Sequence, residues 1–118
     1  MTLTILKSKE TIPNNRIAFK TVEGYVFLDP EEIIRIEANL HQSLLFSTRQ
    51  EKPFKLAVNI TVAENELELY NKLFFFRCHL VNVIHIMEFK EKIKLLITSR
   101  GDIPISINRI YDFKKIMC

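Results

Sequence analysis

Apolar and polar residues alternate along much of this chain, in short runs that are separated by turn residues. In the run IIRIEAN, one face of an extended strand would carry Ile34, Ile36 and Ala38. The opposite face of the same strand would carry Arg35 and Glu37. Comparable runs predict strands over residues 16–21, 25–28, 33–39, 44–48, 54–60, 84–90, 93–98 and 103–105. The pattern therefore predicts a protein built mainly from short β-strands.

Two segments depart from this alternation and have the spacing of helices. Over residues 61–73, the apolar positions fall on an arc of about 160° of a helical wheel. Thr61 and Glu64 have the spacing of a capping box at the start of this helix. Near the carboxyl end, Ser106 is placed to cap a second helix that runs to Met117.

The connections between the predicted strands are too short for the helical crossovers that parallel strands need. We therefore expect a mainly β fold with roughly eight to ten short strands in antiparallel sheets and two short helices. A chain of 118 residues corresponds to one domain, which we place over residues 16–118. Residues 1–15 end in a Pro-Asn-Asn turn signal and are expected to form a flexible amino-terminal arm.

Composition excludes several classes of protein. Hydrophobic residues make up 47% and charged residues 26% of the chain, which argues against a disordered protein. No apolar run reaches the roughly 18 residues of a membrane span, and the amino terminus is too polar for a signal peptide. The two cysteines, Cys78 and Cys118, have no zinc or redox spacing, which suits a reducing compartment. We therefore expect a cytoplasmic protein without a membrane partner.

No pattern in the chain predicts an enzyme. The two glycines stand far apart, which leaves no glycine-rich phosphate-binding loop, and no serine lies in a recognisable nucleophile motif. The three histidines are scattered and fall short of a closed zinc site: His41, His79 and His85. We therefore expect no catalytic residue, no metal, no cofactor and no small-molecule substrate.

The charge of the chain differs between its two parts. The net charge is +3, and residues 1–71 contribute −2 whereas residues 72–118 contribute +5. A basic side indicates an anionic partner, unless strands of the two parts interleave in space and remove the sidedness. Basic side chains in loops can neutralise phosphates, and polar ones can read base edges. The loop candidates for base reading are His41, Gln42, Ser43, Asn108 and Arg109.

Three stretches, in order and at their spacing, resemble the LytTR DNA-binding domain of bacterial response regulators. The first is DPEEIIRIEA at residues 29–38, similar to that family's turn followed by I-x-x-I-E-A. The second is FFRCHLVN at residues 75–82, similar to L-F-x-R-x-H followed by V-N. The third is GDIPIS at residues 101–106, similar to G-x-x-I-P-V-S before a closing helix. The resemblance covers residues 16–117.

The resemblance implies an elongated stack of short antiparallel sheets with about ten strands. It also implies that loops, rather than a recognition helix, enter successive major grooves of double-stranded DNA, with His79 added to the base-reading residues. The candidates for phosphate contacts are Arg77, Lys90, Lys92, Arg100, Lys114 and Lys115. The chain is then expected to be a sequence-specific DNA-binding domain of a bacterial transcription regulator, able to form a homodimer on direct repeats.

Two positions depart from the family's pattern. Only Leu80 separates His79 from Val81, where family members usually have a longer polar segment. Ile107 stands where a basic residue often follows the serine. Since aliphatic side chains cannot donate a hydrogen bond to a base or a phosphate, a second hypothesis is a protein-interaction module of this fold that has lost or weakened DNA binding.

Overall fold

The computed structural model of the chain describes residues 16–67, 74–76 and 79–117. These residues form ten β-strands in two sheets and two α-helices. The larger sheet contains β1 Ile17–Thr21, β2 Gly24–Leu28, β3 Ile33–Asn39, β4 Gln42–Ser47, β5 Phe54–Leu56, β6 Phe74–Phe76 and β7 His79–Asn82. The smaller sheet contains β8 Ile86–Lys90, β9 Leu95–Thr98 and β10 Gly101–Pro104. The helices are α1 Ile60–Glu66 and α2 Ile107–Met117.

The two sheets are antiparallel throughout. The strand order is β2-β1-β5-β4-β3-β7-β6 in the larger sheet and β10-β9-β8 in the smaller one. The predicted mainly β fold with antiparallel sheets and two helices is therefore confirmed. The molecule measures 51 × 27 × 23 Å along its principal axes, which agrees with the elongated shape that the resemblance implied. The predicted amino-terminal arm lies outside the described residues.

Each sheet has its own hydrophobic core. The larger sheet packs against α1 and buries Phe19 together with Ala63 of the helix. The smaller sheet packs against α2 and buries Leu96 together with Phe113. The ring of Phe113 also meets Phe89 edge to face, with 5.0 Å between the ring centroids, an arrangement that aromatic pairs favour. This second core also contains Val81 of β7, so the larger sheet contributes an apolar contact where the two sheets meet.

The predicted alternation holds over Arg35 and Glu37 of β3, which share one face and are in contact there at 2.7 Å. That face is covered at Arg35, which is only 8% exposed because the Arg100 turn of the smaller sheet packs over it, whereas Ala38 near the end of the strand is exposed. The pairing with β4 is irregular between Ile33 and Arg35, because Ile33 pairs with Ser47 whereas Arg35 pairs with Phe46. A bulge of this kind changes which face a side chain points to and bends the strand. It places Ile33 on the same face as Ile36, against the core of the larger sheet.

The first helix begins earlier than the sequence predicts. Its amino-terminal cap is Asn59, whose side-chain oxygen accepts a hydrogen bond from the amide of Val62 (2.9 Å). The predicted strand over 54–60 therefore ends at Leu56, and the predicted cap at Thr61 lies inside the helix. Asparagine is among the strongest helix-capping residues, and it outcompetes threonine two positions later. Residues 68–73 of the predicted helix lie outside the described part of the chain.

The second helix forms where it was predicted. The carbonyl oxygen of Ser106 accepts hydrogen bonds from the amides of Arg109 (3.0 Å) and Ile110 (3.2 Å). The Ser106 hydroxyl, however, is buried without a hydrogen-bond partner among the described residues, so the expected side-chain cap is wrong. Within the described part of the chain, no helix is long and apolar enough to cross a membrane.

Candidate nucleic-acid interface

The turn between β3 and β4 is shorter than the predicted loop over 40–43. Asn39 pairs with Gln42, which leaves only Leu40 and His41 between the two strands. His41 and Gln42 are exposed at this tip. Leu40 is 91% exposed and has a positive φ of 59°. A narrow hairpin end with an imidazole, an amide and an aliphatic side chain can enter the major groove of DNA.

Ser43 does not belong to this exposed tip, and the structure contradicts its predicted role in base reading. The side chain of Ser43 is fully buried in β4. Its hydroxyl donates a hydrogen bond to the carbonyl oxygen of Val58 (2.9 Å), which ties β4 to the segment before α1. The predicted loop placed Ser43 in solvent, whereas the tight turn moves it into the strand and toward the core.

His79 lies at the start of β7, opposite Glu37 of β3. Its ring is half-buried, and its Nδ1 atom is buried without a hydrogen-bond partner among the described residues. Burial lowers the pKa of His79 below its ordinary value of 6.5, while Glu37 raises it and Arg35 lowers it to a smaller extent. The ring is therefore neutral at pH 7, and one of its nitrogens can accept a hydrogen bond.

The lowered pKa of His79 predicts a pH-dependent stability. The unfolded chain, in which His79 has its ordinary pKa, binds a proton more tightly than the folded chain does. The free energy of unfolding should therefore fall as the pH drops through 6.5, and the loss should continue until the folded protein also binds the proton. Urea denaturation at a series of pH values measures this slope, and the variant His79→Gln should flatten it. An equal slope in both proteins would contradict the assignment to His79.

The start of α2 is the second exposed polar element. Asn108 is exposed in the first turn of the helix. Arg109 is partly buried, and its Nη1 atom lies 3.7 Å from the Asp112 carboxylate of the same helix. Ile107, the first helical residue, is 68% exposed. Asn108 is thus better placed than Arg109 to reach a base, because the arginine already has an acidic neighbour.

Four of the predicted phosphate-binding residues occupy one end of the smaller sheet. Lys114 of α2 forms an ion pair with Glu91 (2.7 Å), which places the helix beside the connection between β8 and β9. All four lysines of this end are exposed. We name this group the basic corner: Lys90, Lys92, Lys114 and Lys115.

Arg100, predicted as a phosphate contact, also has a structural role that sequence reasoning missed. Its Nη1 atom donates to the carbonyl oxygens of Ser47 (3.1 Å) and Gln50 (3.0 Å) in the larger sheet. Its own carbonyl oxygen accepts a hydrogen bond from Nε of Arg35 (2.7 Å). The two arginines flank the ring of Phe46, at 3.9 Å for Arg35 and 5.6 Å for Arg100. Arg77, the remaining phosphate candidate, lies outside the described residues.

The fold also separates the two charge regions of the sequence. The smaller sheet and α2 are formed only by residues 86–117, which contain seven basic and four acidic side chains. The alternative, in which strands of the acidic and basic parts interleave, applies only to β6 and β7, which join the larger sheet. The basic excess of the second part is therefore concentrated on the smaller sheet and α2.

The family model described as the LytTr DNA-binding domain matches residues 23–117. The solved structure of a domain described as the LytTr DNA-binding domain of a methyl-accepting/DNA response regulator from Bacillus cereus is similar, with a TM-score of 0.65 and 19% sequence identity. The match covers 86% of this chain and 95% of that domain, and it shows a common fold. The comparison with curated proteins found no match.

The family match spans most of the chain and contains the three stretches that carried the resemblance in sequence. It also contains both exposed polar elements and the basic corner. The family is one of DNA-binding domains of response regulators rather than one of enzymes. The chain belongs to the LytTR DNA-binding domain family.

Proposed function

We propose that this domain binds double-stranded DNA in a sequence-specific manner and regulates transcription in a bacterial cytoplasm. The family match over residues 23–117 is the observation that carries this proposal. In the proposed complex, the β3–β4 turn and the start of α2 each enter the major groove. The basic corner contacts the phosphates beside them.

The length of the molecule matches the scale of two groove contacts. Successive major grooves on one side of B-DNA are about 34–36 Å apart. The long axis of this molecule is 51 Å, which exceeds that distance. A two-residue turn such as Leu40-His41 is narrow enough for a groove about 12 Å wide.

The exposed side chains supply suitable hydrogen-bonding groups. The amides of Gln42 and Asn108 can pair bidentately with the N6 and N7 atoms of adenine. His41 can donate to or accept from base edges, depending on tautomer, whereas the half-buried His79 can do so only through Nε2, because its Nδ1 atom is buried. Arg109 is a weaker candidate in this proposal because Asp112 lies close to its guanidinium group.

Three of the four lysines in the basic corner have no ion-pair partner within the described part of the chain, whereas Lys114 would have to exchange Glu91 for a phosphate.

A selection of binding sites from random duplex DNA at near-physiological salt tests the proposal. A recovered motif that repeats at about one helical turn, roughly 10 base pairs, would support specific binding and pairing of two copies on direct repeats. The buried position of Leu80 in β7 favours the second candidate function, since this side chain is not available to contact DNA. Sequence-blind, salt-sensitive binding, or no binding, would favour that interaction module instead.

Single substitutions should separate base contacts from phosphate contacts. Asn108→Ala should weaken binding to the selected site by about 1–3 kcal/mol and relax specificity at one position. Lys92→Ala should weaken binding to all sequences and reduce the slope of log K against log salt by about 1. Lys20→Ala, on β1 and over the ring of Tyr25, is the matched control and should leave the slope unchanged. Identical salt slopes for Lys92→Ala and the control would remove the basic corner from the interface.

A further inference from the structure

Leu40 occupies an unusual position for a leucine. It is 91% exposed and therefore contributes almost nothing to the core. Its φ of 59° lies in the left-handed region, where the Cβ atom makes the backbone unfavourable for residues other than glycine, asparagine and aspartate. Both the side chain and the backbone are thus unfavourable for folding at this turn. Such positions are often retained because they act on a ligand.

Ile107 presents the same kind of side chain at the second polar element. It is 68% exposed at the first position of α2, directly beside Asn108. Leu40 likewise lies beside His41 and close to Gln42. Each element that we propose for groove reading therefore combines an exposed aliphatic residue with a side-chain amide.

In the major groove, the apolar group that a base pair displays is the C5-methyl group of thymine. An amide side chain is best matched by adenine, which pairs with thymine. We propose that Leu40 and Ile107 contact thymine methyl groups, so that the base pairs under both elements are A·T pairs. This inference rests on the proposed function and adds the identity of the bases that are read.

The inference is tested by replacing thymine with deoxyuridine, one position at a time, in the site recovered by selection. This change removes a methyl group and keeps every hydrogen-bonding atom of the base pair. Wild-type affinity should fall about three- to fivefold at one or more thymines, as expected for the loss of one buried methyl group. In Leu40→Ala, the deoxyuridine substitution at the thymine that Leu40 contacts should no longer lower the affinity. The same should hold for Ile107→Ala at the thymine that Ile107 contacts.

Two further variants separate a binding role from a structural one. Leu40→Asn should raise the midpoint of urea denaturation, because asparagine tolerates the left-handed conformation, and it should still lose the response to deoxyuridine. Met87→Ala is the matched control, because Met87 is 69% exposed on β8 and belongs to neither element. Met87→Ala should lose affinity at the same deoxyuridine positions as the wild type, and by the same factor.

The outcomes distinguish this inference from the proposal on which it rests. If selection recovers a site, but deoxyuridine has no effect or acts equally on wild type, Leu40→Ala and Ile107→Ala, the thymine contacts are wrong and DNA binding stands. If selection recovers no preferred sequence, both the inference and sequence-specific binding are overturned.

Discussion

Replacing Arg35 with leucine should lower the free energy of unfolding by about 3 kcal/mol. The Arg35 side chain joins the two sheets: Nε donates to the Arg100 carbonyl oxygen (2.7 Å), and Nη1 contacts the Glu37 carboxylate (2.7 Å). Leucine would leave the carbonyl without this donor and remove the guanidinium group that stacks on Phe46. Glu37 adds less to the loss than a fully buried partner would, because its side chain is 36% exposed and water can solvate it.

The same substitution should affect specific DNA binding more than non-specific binding. The sheet that carries the β3–β4 turn and the sheet that packs against α2 meet at Arg35, so loosening this junction should change the spacing of the two groove contacts that we propose. The proposed phosphate contacts of the basic corner should depend less on that spacing. The junction is tightly packed, because a Cβ atom on Gly101 would lie 3.1 Å from Nη2 of Arg35.

Urea denaturation and a comparison of selected with random DNA measure these two effects. Arg35→Lys keeps the charge but loses the planar fork, and it should fall between wild type and Arg35→Leu. Arg16→Leu is the matched control, since Arg16 is exposed and lies 3.9 Å from Asp29; its stability should change by less than about 0.5 kcal/mol. Equal stabilities for Arg35→Leu and the control would show that the junction is held by other contacts.

Replacing Asn82 with leucine should be the most destabilising polar substitution considered, at about 3–5 kcal/mol. Asn82 is fully buried, and its Nδ2 atom donates to the carbonyl oxygens of Pro30 (3.0 Å) and Ile33 (2.8 Å). Its Oδ1 atom accepts from the amide of Ile84 (3.2 Å). Leucine is larger than asparagine, so no cavity would form; the loss would come from three backbone groups left without this partner, together with overpacking of the buried site.

Thermal and urea denaturation of Asn82→Leu measure this cost. The control is Asn65→Ala on α1, where the asparagine is exposed; its stability should stay within about 0.5 kcal/mol of wild type. Asn82→Asp is a second test, because a carboxylate keeps the acceptor but cannot donate to the two carbonyl oxygens. It should also be strongly destabilised at neutral pH. Wild-type stability in both Asn82 variants would contradict the structural role.

The family resemblance identified Asn82 as part of the V-N pair. It did not predict the structural role of this side chain. The structure shows that this asparagine connects β7 to the segment between β2 and β3, which lies 52 and 49 residues earlier in the chain. No local pattern carries that information, because hydrophobic periodicity reports only which residues of one element share a face. The same reason explains why Ser43 was predicted as a base-reading residue and is instead a buried hydrogen-bond donor.

The sequence by itself determined the β-rich class, the antiparallel pairing, the two helices and the family. These properties depend on short-range spacing, on turns too short for crossovers, and on ordered motifs along the chain. Only the tertiary structure decided which polar residues are available to DNA. It buries Arg35 where the two sheets meet, uses Arg100 to join the sheets, and exposes Leu40 at a left-handed turn. Burial and hydrogen bonding at these positions depend on contacts between residues that are distant in the sequence. Arg35 and Arg100, for example, are 65 residues apart and become neighbours only when the two sheets meet.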